Sequence, residues 1–314
     1  MSGAPRGTEN TRANGAVLEN PVNASGAEHQ TLMLIDGHSL AFRAYHALPA
    51  TIRDPAGAPV NAIYGFLAML FRLIETSRPD ALAVAFDVGI PFRVELYDQY
   101  KAGRLELDPA VEAQVERLRR VLVALDIPQF EAAGYEADDI LKTLAHQAEA
   151  AGIETLIVSG DRDLFQVVSR RTRVLYPTGR NNDPDLYDPE RIEQRYGVRP
   201  DQFRDFKALV GDPSDNIPGV RGIGAKGAAR LLQTYGALDV IYANLDQVAP
   251  PRVRKALVAP GAHEQAELAR RLVTLVEVPG INLNLESCRI EYDRERARQA
   301  LAALGFRSLQ TRLP

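Results

Sequence analysis

Apolar positions along this 314-residue chain gather into short runs that end on acids. Leu32-Met33-Leu34-Ile35 ends at Asp36-Gly37, Ala81 to Phe86 ends at Asp87, and Glu154 to Val158 closes on Ser159-Gly160-Asp161. Short apolar runs bounded by turn residues predict buried strands. Arg173 to Tyr176 predicts a fourth. Between the runs the period changes. Ile63, Phe66, Leu67, Leu70, Phe71 and Ile74 recur at helical spacing until Pro79, and Val111 to Leu125 and Glu136 to Ala151 are amphipathic in the same way. Strands alternating with helices of this length predict βαβ units and a mostly parallel sheet. From Pro189 onward strand signals give way to short helices, so a boundary is expected between residues 185 and 205.

Residues 1–30 hold few large apolar side chains and are expected to be a disordered tail, because burial there cannot offset the entropy of ordering. No internal repeat stands out. Lys and Arg total 37 against 41 Asp and Glu, a formal charge of −4, which excludes a wholesale basic coat but not local patches. The single cysteine, Cys288, excludes an intramolecular disulfide framework and a multi-cysteine zinc site, and reads as a small buried hydrophobe. No apolar run approaches the ~18 residues of a membrane span. The N-terminus carries no apolar signal segment, so a cytoplasmic, nucleoid-associated protein is expected.

The candidate chemistry lies in the acids. Strand C-termini of an open parallel sheet share one edge, so Asp36, Asp87 and Asp161 are expected together there. Glu136, Asp138 and Asp139 open a predicted helix, and Asp163, Asp212 and Asp215 complete a set of nine acids at strand or helix ends. Taken singly, each has a bland reading as a helix-dipole or turn residue. Gathered together, such acids repel one another and demand cations. Oxygen donors without His or Cys suit Mg²⁺, with Mn²⁺ as a substitute. Two such ions can activate water and stabilise the leaving oxygen of a phosphodiester. His38 and His46 read as structural.

Two further segments bear on nucleic acid. Gly222-Ile223-Gly224-Ala225-Lys226 precedes a predicted helix, with Arg230 on its next turn. The glycines permit a tight turn, and the amides at the helix start suit a phosphate without reading sequence. Arg93, Lys101 and Arg104 follow Asp87 with Tyr97 and Tyr100 interleaved. That strip reads either as cations beside a reacting phosphate or as a solvated loop. Tyr45 reads as a base-stacking side chain or a core tyrosine.

Several ordered motifs resemble a known family. Leu34-Ile35-Asp36-Gly37-His38, Ala85-Phe86-Asp87, Phe92-Arg93, Tyr100-Lys101-Ala102-Gly103-Arg104, Gly134-Tyr135-Glu136-Ala137-Asp138-Asp139, Ser159-Gly160-Asp161-Arg162-Asp163-Leu164 and Gly211-Asp212-Pro213-Ser214-Asp215-Asn216 occur in sequence. Together they resemble the 5′-nuclease domain of bacterial family A DNA polymerases and its stand-alone relatives, in the flap endonuclease superfamily. The resemblance covers residues 31 to 310.

It implies a PIN-like α/β core over residues 31–200, an arch at about 88–110, and a helical DNA-binding part over 201–314 with a helix-three-turn-helix element. It also implies that Asp36, Asp87, Glu136 and Asp138 hold one ion and Asp161, Asp163 and Asp212 a second, with Asp139 and Asp215 accessory. Lys101 and Arg104 match the arch cations that engage the scissile phosphate, and Arg93 a nearby positive residue. Gly222, Gly224 and Lys226 match a hairpin whose carbonyls hold K⁺ against DNA in relatives.

Two segments depart from the pattern. Val88-Gly89-Ile90 stands where relatives often carry a basic residue, and Leu105-Glu106-Leu107-Asp108 is more acidic than the expected arch. These departures bear on the balance of exonuclease to flap cleavage.

The expectation is a monomeric, metal-dependent 5′-3′ exonuclease or flap endonuclease. It would act on DNA with 5′ ends, flaps or single-strand/duplex junctions in primer removal, replication or repair, with a DNA polymerase in cis or in trans. A polymerase activity needs several hundred more residues than this chain holds. The rivals are a non-catalytic helix-hairpin-helix DNA-binding protein, which would not need nine acids, and a PIN-type ribonuclease, which usually lacks the hairpin.

Overall fold

The computed structural model describes residues 30–103, 108–177 and 184–314. The expected tail therefore lies outside the described residues except for Gln30, and so does Arg104.

Among the described residues six strands form one sheet: β1 (Thr31–Asp36), β2 (Ala81–Ala85), β3 (Gln129–Phe130), β4 (Glu154–Val158), β5 (Thr172–Tyr176) and β6 (Asp185–Tyr187). Their order is β3-β2-β1-β4-β5-β6, parallel throughout except for the antiparallel edge strand β6. Both faces are covered, which explains the unbroken apolar runs. Along β1, Leu32 and Leu34 point into one core and Met33 and Ile35 into the other, as the period of two requires.

The helices of the first half are α1 (Gly37–Ala47), α2 (Asn61–Ser77), α3 (Arg93–Leu96), α4 (Pro109–Ala124) and α5 (Ala137–Ala150). Helix α2 ends at Arg78 in the left-handed conformation, just before Pro79. The predicted strands and long helices are found within two residues of the expected ends. Helix α1 and strands β3 and β6 were not expected. Strands of two or three residues carry too few positions for a period to register.

The second half is helical: α6 (Pro189–Tyr196), α7 (Pro200–Val210), α8 (Ala225–Tyr235), α9 (Leu238–Ala243), α10 (Pro251–Leu257), α11 (Ala262–Val273), α12 (Arg294–Ala303) and α13 (Arg307–Gln310). A two-strand pair, Gly211–Asp212 with Ile217–Pro218, closes the turn between α7 and α8. Helices α12 and α13 do not stay with the other C-terminal helices. Leu301, Leu304, Phe306 and Leu309 return to the first half and pack in the same core as Val111, Val115 and Leu118 of α4. Among the described residues no helix is long and apolar enough to cross a membrane.

Candidate metal centre and nucleic-acid interface

The chain runs from β1 to β2 on one side and later to β4 on the other, so a crevice opens at the C-terminal edge between them. Asp36 both ends β1 and caps α1, accepting from Ser39 N at 2.9 Å and from Ser159 Oγ at 2.7 Å. Asp87 follows β2 and accepts from Ala137 N at 2.7 Å, which draws the start of α5 to the same edge. Asp138 lies in that first turn. Its Oδ1 is sealed from solvent and has no hydrogen-bond partner among the described residues. Asp161 follows β4 and accepts from Asp163 N at 2.8 Å.

Burial, then Asp87, raises the Asp36 carboxyl to about 7, although Ser39 and Ser159 oppose the shift. Burial, then Asp161, Asp36 and Asp87, pushes Asp138 well above the carboxylate range. Asp36, Asp87, Asp138 and Asp161 thus act on one another as a single group.

A second group stands beside it. Carboxylate oxygens of Asp163, Asp212 and Asp215 lie within 4.8 Å of one another. Asp163 opens a short 3₁₀ turn after β4, and Asp212 caps the turn that carries Asp215. Burial raises Asp163 to about 7 despite Lys207, with Asp161 adding to the rise. Burial would raise Asp212 too, but Lys207 and Ser214 together outweigh it and hold the carboxyl low. Lys207, on the last turn of α7, forms ion pairs with Asp163 and Asp212. Sequence reasoning passed over it, since a lone lysine on an amphipathic helix carries no signal.

The structure sorts the nine acids differently from the expected sets. Asp161 faces both groups, acting electrostatically on Asp36, Asp138 and Asp163. Asp215, expected to be accessory, belongs to the second group. Glu136, at the N-terminal cap of α5, is held by two cations and a hydroxyl: Arg93 Nη1 donates at 2.8 Å, Tyr100 Oη at 2.9 Å, and Lys101 forms an ion pair. Burial would raise Glu136, but Lys101 and Arg93 hold it below the usual range. Asp139 is fully buried and turned away from the edge, with both oxygens accepting from Arg93.

Arg93 requires the sharpest correction. Expected among the cations that meet a phosphate, it is 1% exposed, and all its N–H groups face protein acceptors. Lys101 does stand at the edge. Its Nζ is 3.9 Å from Asp215 Oδ2, and its backbone N–H donates to Asp215 O at 3.0 Å. This ties the base of the arch to the second acid group. His38 accepts from Asp87 N through Nδ1 at 3.1 Å and stands 3.3 Å from Asp87 Oδ2. Cys288 is buried, as expected. Tyr45 is half-buried beside the core, and its hydroxyl donates to Asp108 Oδ2 at 2.6 Å.

The glycine turn leads into α8 with its first amides uncapped by any side chain. Arg221, Lys226 and Arg230 are exposed there. Gly222 has φ +93°, which disfavours any side chain. Gly224 does not: its φ is −97°, and a Cβ there would meet nothing within 4 Å. A Cβ at Gly222 would lie 3.6 Å from Ala256, which places α10, with exposed Arg252 and Lys255, next to the turn. Those two cations escaped the sequence reading because α10 is remote in sequence.

A match to two family models falls on this arrangement. Residues 31–197 match the 5′-3′ exonuclease N-terminal resolvase-like domain, and residues 198–296 match the 5′-3′ exonuclease C-terminal SAM fold. The chain belongs to the 5′-3′ exonuclease family. The expected class of 5′-3′ exonuclease is that of this family. It is 44% identical to DNA polymerase I of Chloroflexus aurantiacus over 88% of this chain and 29% of that protein. It is 41% identical to the thermostable DNA polymerase I of Thermus thermophilus over 88% of this chain and 32% of that one. The chain thus spans about a third of the length of these relatives.

In fold it is similar to the T5 D15 protein co-crystallized with metal ions, with a TM-score of 0.63 at 23% identity, covering 90% of this chain and 97% of that one. It is also similar to the catalytic core of Rad2 in complex with DNA substrate, with a TM-score of 0.60 at 16% identity, covering 91% and 92%.

The raised carboxyls make stability depend on pH. Asp36 and Asp163 bind a proton more tightly folded than unfolded, so their stabilisation is complete below about pH 4 and is lost as pH rises through about 7. Glu136 and Asp212, held low, act in the opposite sense only at more acid pH. In chelator, the melting temperature is therefore expected to fall between pH 4.5 and 7.5, by the equivalent of a few kcal/mol. Mg²⁺ should raise it more at pH 7.5 than at pH 5. Thermal melts with and without Mg²⁺ check this, and a Mg²⁺ increment that does not change with pH would contradict it.

Proposed function

We propose that this chain hydrolyses DNA phosphodiesters at or near 5′ ends, at flaps and at single-strand/duplex junctions, using two divalent cations, with Mg²⁺ preferred and Mn²⁺ accepted. The observation that carries this reading is Asp138 Oδ1, sealed and unpartnered among three other carboxylates. A buried acceptor without a donor is costly, and a hard cation relieves both that cost and the repulsion around it.

Asp36, Asp87, Asp138 and Asp161 would hold one ion, and Asp163, Asp212 and Asp215, with Asp161 between the groups, the other. When bound, the ions supply Lewis acidity that favours deprotonation of the attacking water and departure of the leaving oxygen. The chain's own groups do the rest. Lys101, with Arg104 beside it in sequence, places positive charge where a transferring phosphate becomes more negative. Tyr45 offers a ring for stacking against a base. The uncapped start of α8, with Lys226 and Arg230, grips the duplex backbone, and a K⁺ at the hairpin carbonyls would strengthen that grip. We further place the chain as a monomer in the cytoplasm at the nucleoid, working with a DNA polymerase in cis or in trans.

Incubating the protein with a 5′-labelled flap and with a blunt duplex, with and without Mg²⁺, tests this reading. Cleavage near the junction or the 5′ end that requires Mg²⁺ is expected. No cleavage of either substrate in any divalent ion would reject it.

The hairpin assignment has its own test, because the open space at Gly224 separates strain from contact. Gly224→Val should leave the melting temperature unchanged and weaken duplex binding, since only an approaching ligand needs that space. Lys226→Ala should lower affinity equally for all sequences and reduce the salt slope by about one ion. Both are read as dissociation constants in Ca²⁺ across a salt series. Normal binding by both variants would move the DNA contact to another surface.

A further inference from the structure

An arginine offers five N–H donors, and Arg93 places all five. Its Nε donates to Leu272 O at 2.8 Å, Nη1 to Glu136 Oε2 at 2.8 Å and Asp139 Oδ2 at 2.7 Å, and Nη2 to Asp139 Oδ1 and Thr274 O, each at 2.8 Å. Asp139 also accepts from Val276 N at 2.9 Å and from Glu136 N at 3.3 Å. Stability alone explains this poorly, because an apolar pair of similar volume often stabilises a core as well. An apolar pair could not fix register, however. This one joins the start of α3, the first turn of α5 and the chain leaving α11.

That outgoing chain, Thr274 to Leu283, lies along α5. Val276 N, Val278 N and Leu283 N donate to Asp139 Oδ1, Thr143 Oγ1 and Gln147 Oε1 at 2.9, 2.9 and 2.7 Å. The acceptors are four residues apart, hence on one face of the helix. Gln147 Nε2 donates back to Ile281 O, and Lys142 Nζ to Leu275 O, both at 2.8 Å. At its other end, α11 reaches the hairpin, where Gln265 Nε2 donates to Gly219 O at 2.5 Å. One rigid helix and one hydrogen-bonded strap therefore connect the glycine turn to Glu136.

We propose that Arg93 and Asp139 are positioning residues that make divalent-ion binding at the sheet edge depend on how the C-terminal helices are seated. The proposal rests on the function above for the nature of the site. Arg93 Nη1 serves Glu136 and Asp139 together, so a shift of Leu272–Val276 moves the guanidinium and with it the first turn of α5, which carries Asp138. Removing a group that orients a metal-binding carboxylate typically costs about 10- to 100-fold in metal affinity.

The test measures Mn²⁺ affinity by calorimetry, duplex affinity in Ca²⁺ and melting temperature on the full chain. Arg93→Lys keeps the charge and loses the fork, and Asp139→Asn keeps the shape and loses the charge. Both are expected to weaken Mn²⁺ binding by about 10- to 100-fold and to weaken duplex binding with it. Gln147, two turns beyond Asp139 on α5, holds the strap at Ile281 and Leu283 and touches no acid of the site, so Gln147→Ala loosens the strap alone. It should weaken Mn²⁺ binding several-fold, which a purely local role of Arg93 would not produce. Methylguanidinium should restore part of the Mn²⁺ affinity of Arg93→Ala. Asp139→Asn and Gln147→Ala that melt lower yet bind Mn²⁺ like the parent chain would overturn the proposal. A parent chain that binds Mn²⁺ but cuts no DNA would reject the function while leaving this coupling in place.

Discussion

Asp138→Ala is expected to abolish cleavage in Mg²⁺ while leaving the chain folded, with a melting temperature in chelator at neutral pH no lower than that of the parent. Asp138 Oδ1 accepts no hydrogen bond, and burial together with Asp161, Asp36 and Asp87 disfavours its charge. Its removal therefore relieves repulsion and breaks no bond to that atom. The rate should fall by at least about 10³-fold, the scale of several kcal/mol of charge stabilisation in the transition state. Asp161→Ala, at the junction of the two acid groups, should behave alike. Single-turnover cleavage of a labelled flap, with a melt of the same preparation, reads both effects. Undiminished turnover by either variant would remove that residue from the metal centre.

Lys101→Ala should slow the chemical step by about 10²-fold or more and change duplex affinity little. The ammonium neutralises Glu136 and stands 3.9 Å from Asp215, so it already lies among the acids that a phosphate must approach. Charge that grows in the transition state gains more from such a cation than charge already present in the ground state. Enzyme-excess kinetics, set beside dissociation constants in Ca²⁺, separate the two. A rate within a factor of two of the parent would make Lys101 a counter-ion of the carboxylates and nothing more.

The acidic edge was legible because each strand announces itself by an apolar run and the residue ending the run must lie at the sheet's edge; Asp36, Asp87 and Asp161 follow directly. The acids around α5 were less legible. Successive helical residues are turned about 100° from one another, so Asp138 faces the crevice while Asp139 faces Arg93. Spacing alone does not say which is which. Arg93 looked like part of a solvated strip because its partners are remote: Asp139 is 46 residues away, and the Leu272 and Thr274 carbonyls are 179 and 181 residues away. Lys207 was hidden for a similar reason, since only the fold brings Asp163 to it. The hairpin was legible as a motif. The division of labour between Gly222 and Gly224 became visible only with the backbone angles.

The return of α12 and α13 to the first half separates two kinds of boundary. The family models meet between residues 197 and 198, which marks where stretches of recognisable sequence adjoin. The apolar core ignores that line, because Leu301, Leu304, Phe306 and Leu309, with Ile290 and Tyr292 before them, pack in the same core as α4. A chain divided at the family border would leave both pieces with bare apolar surface. The matched stretches and the folding unit of this protein are therefore not the same object, and the final helices, which run on past the second match, act as the clasp that holds the two halves together.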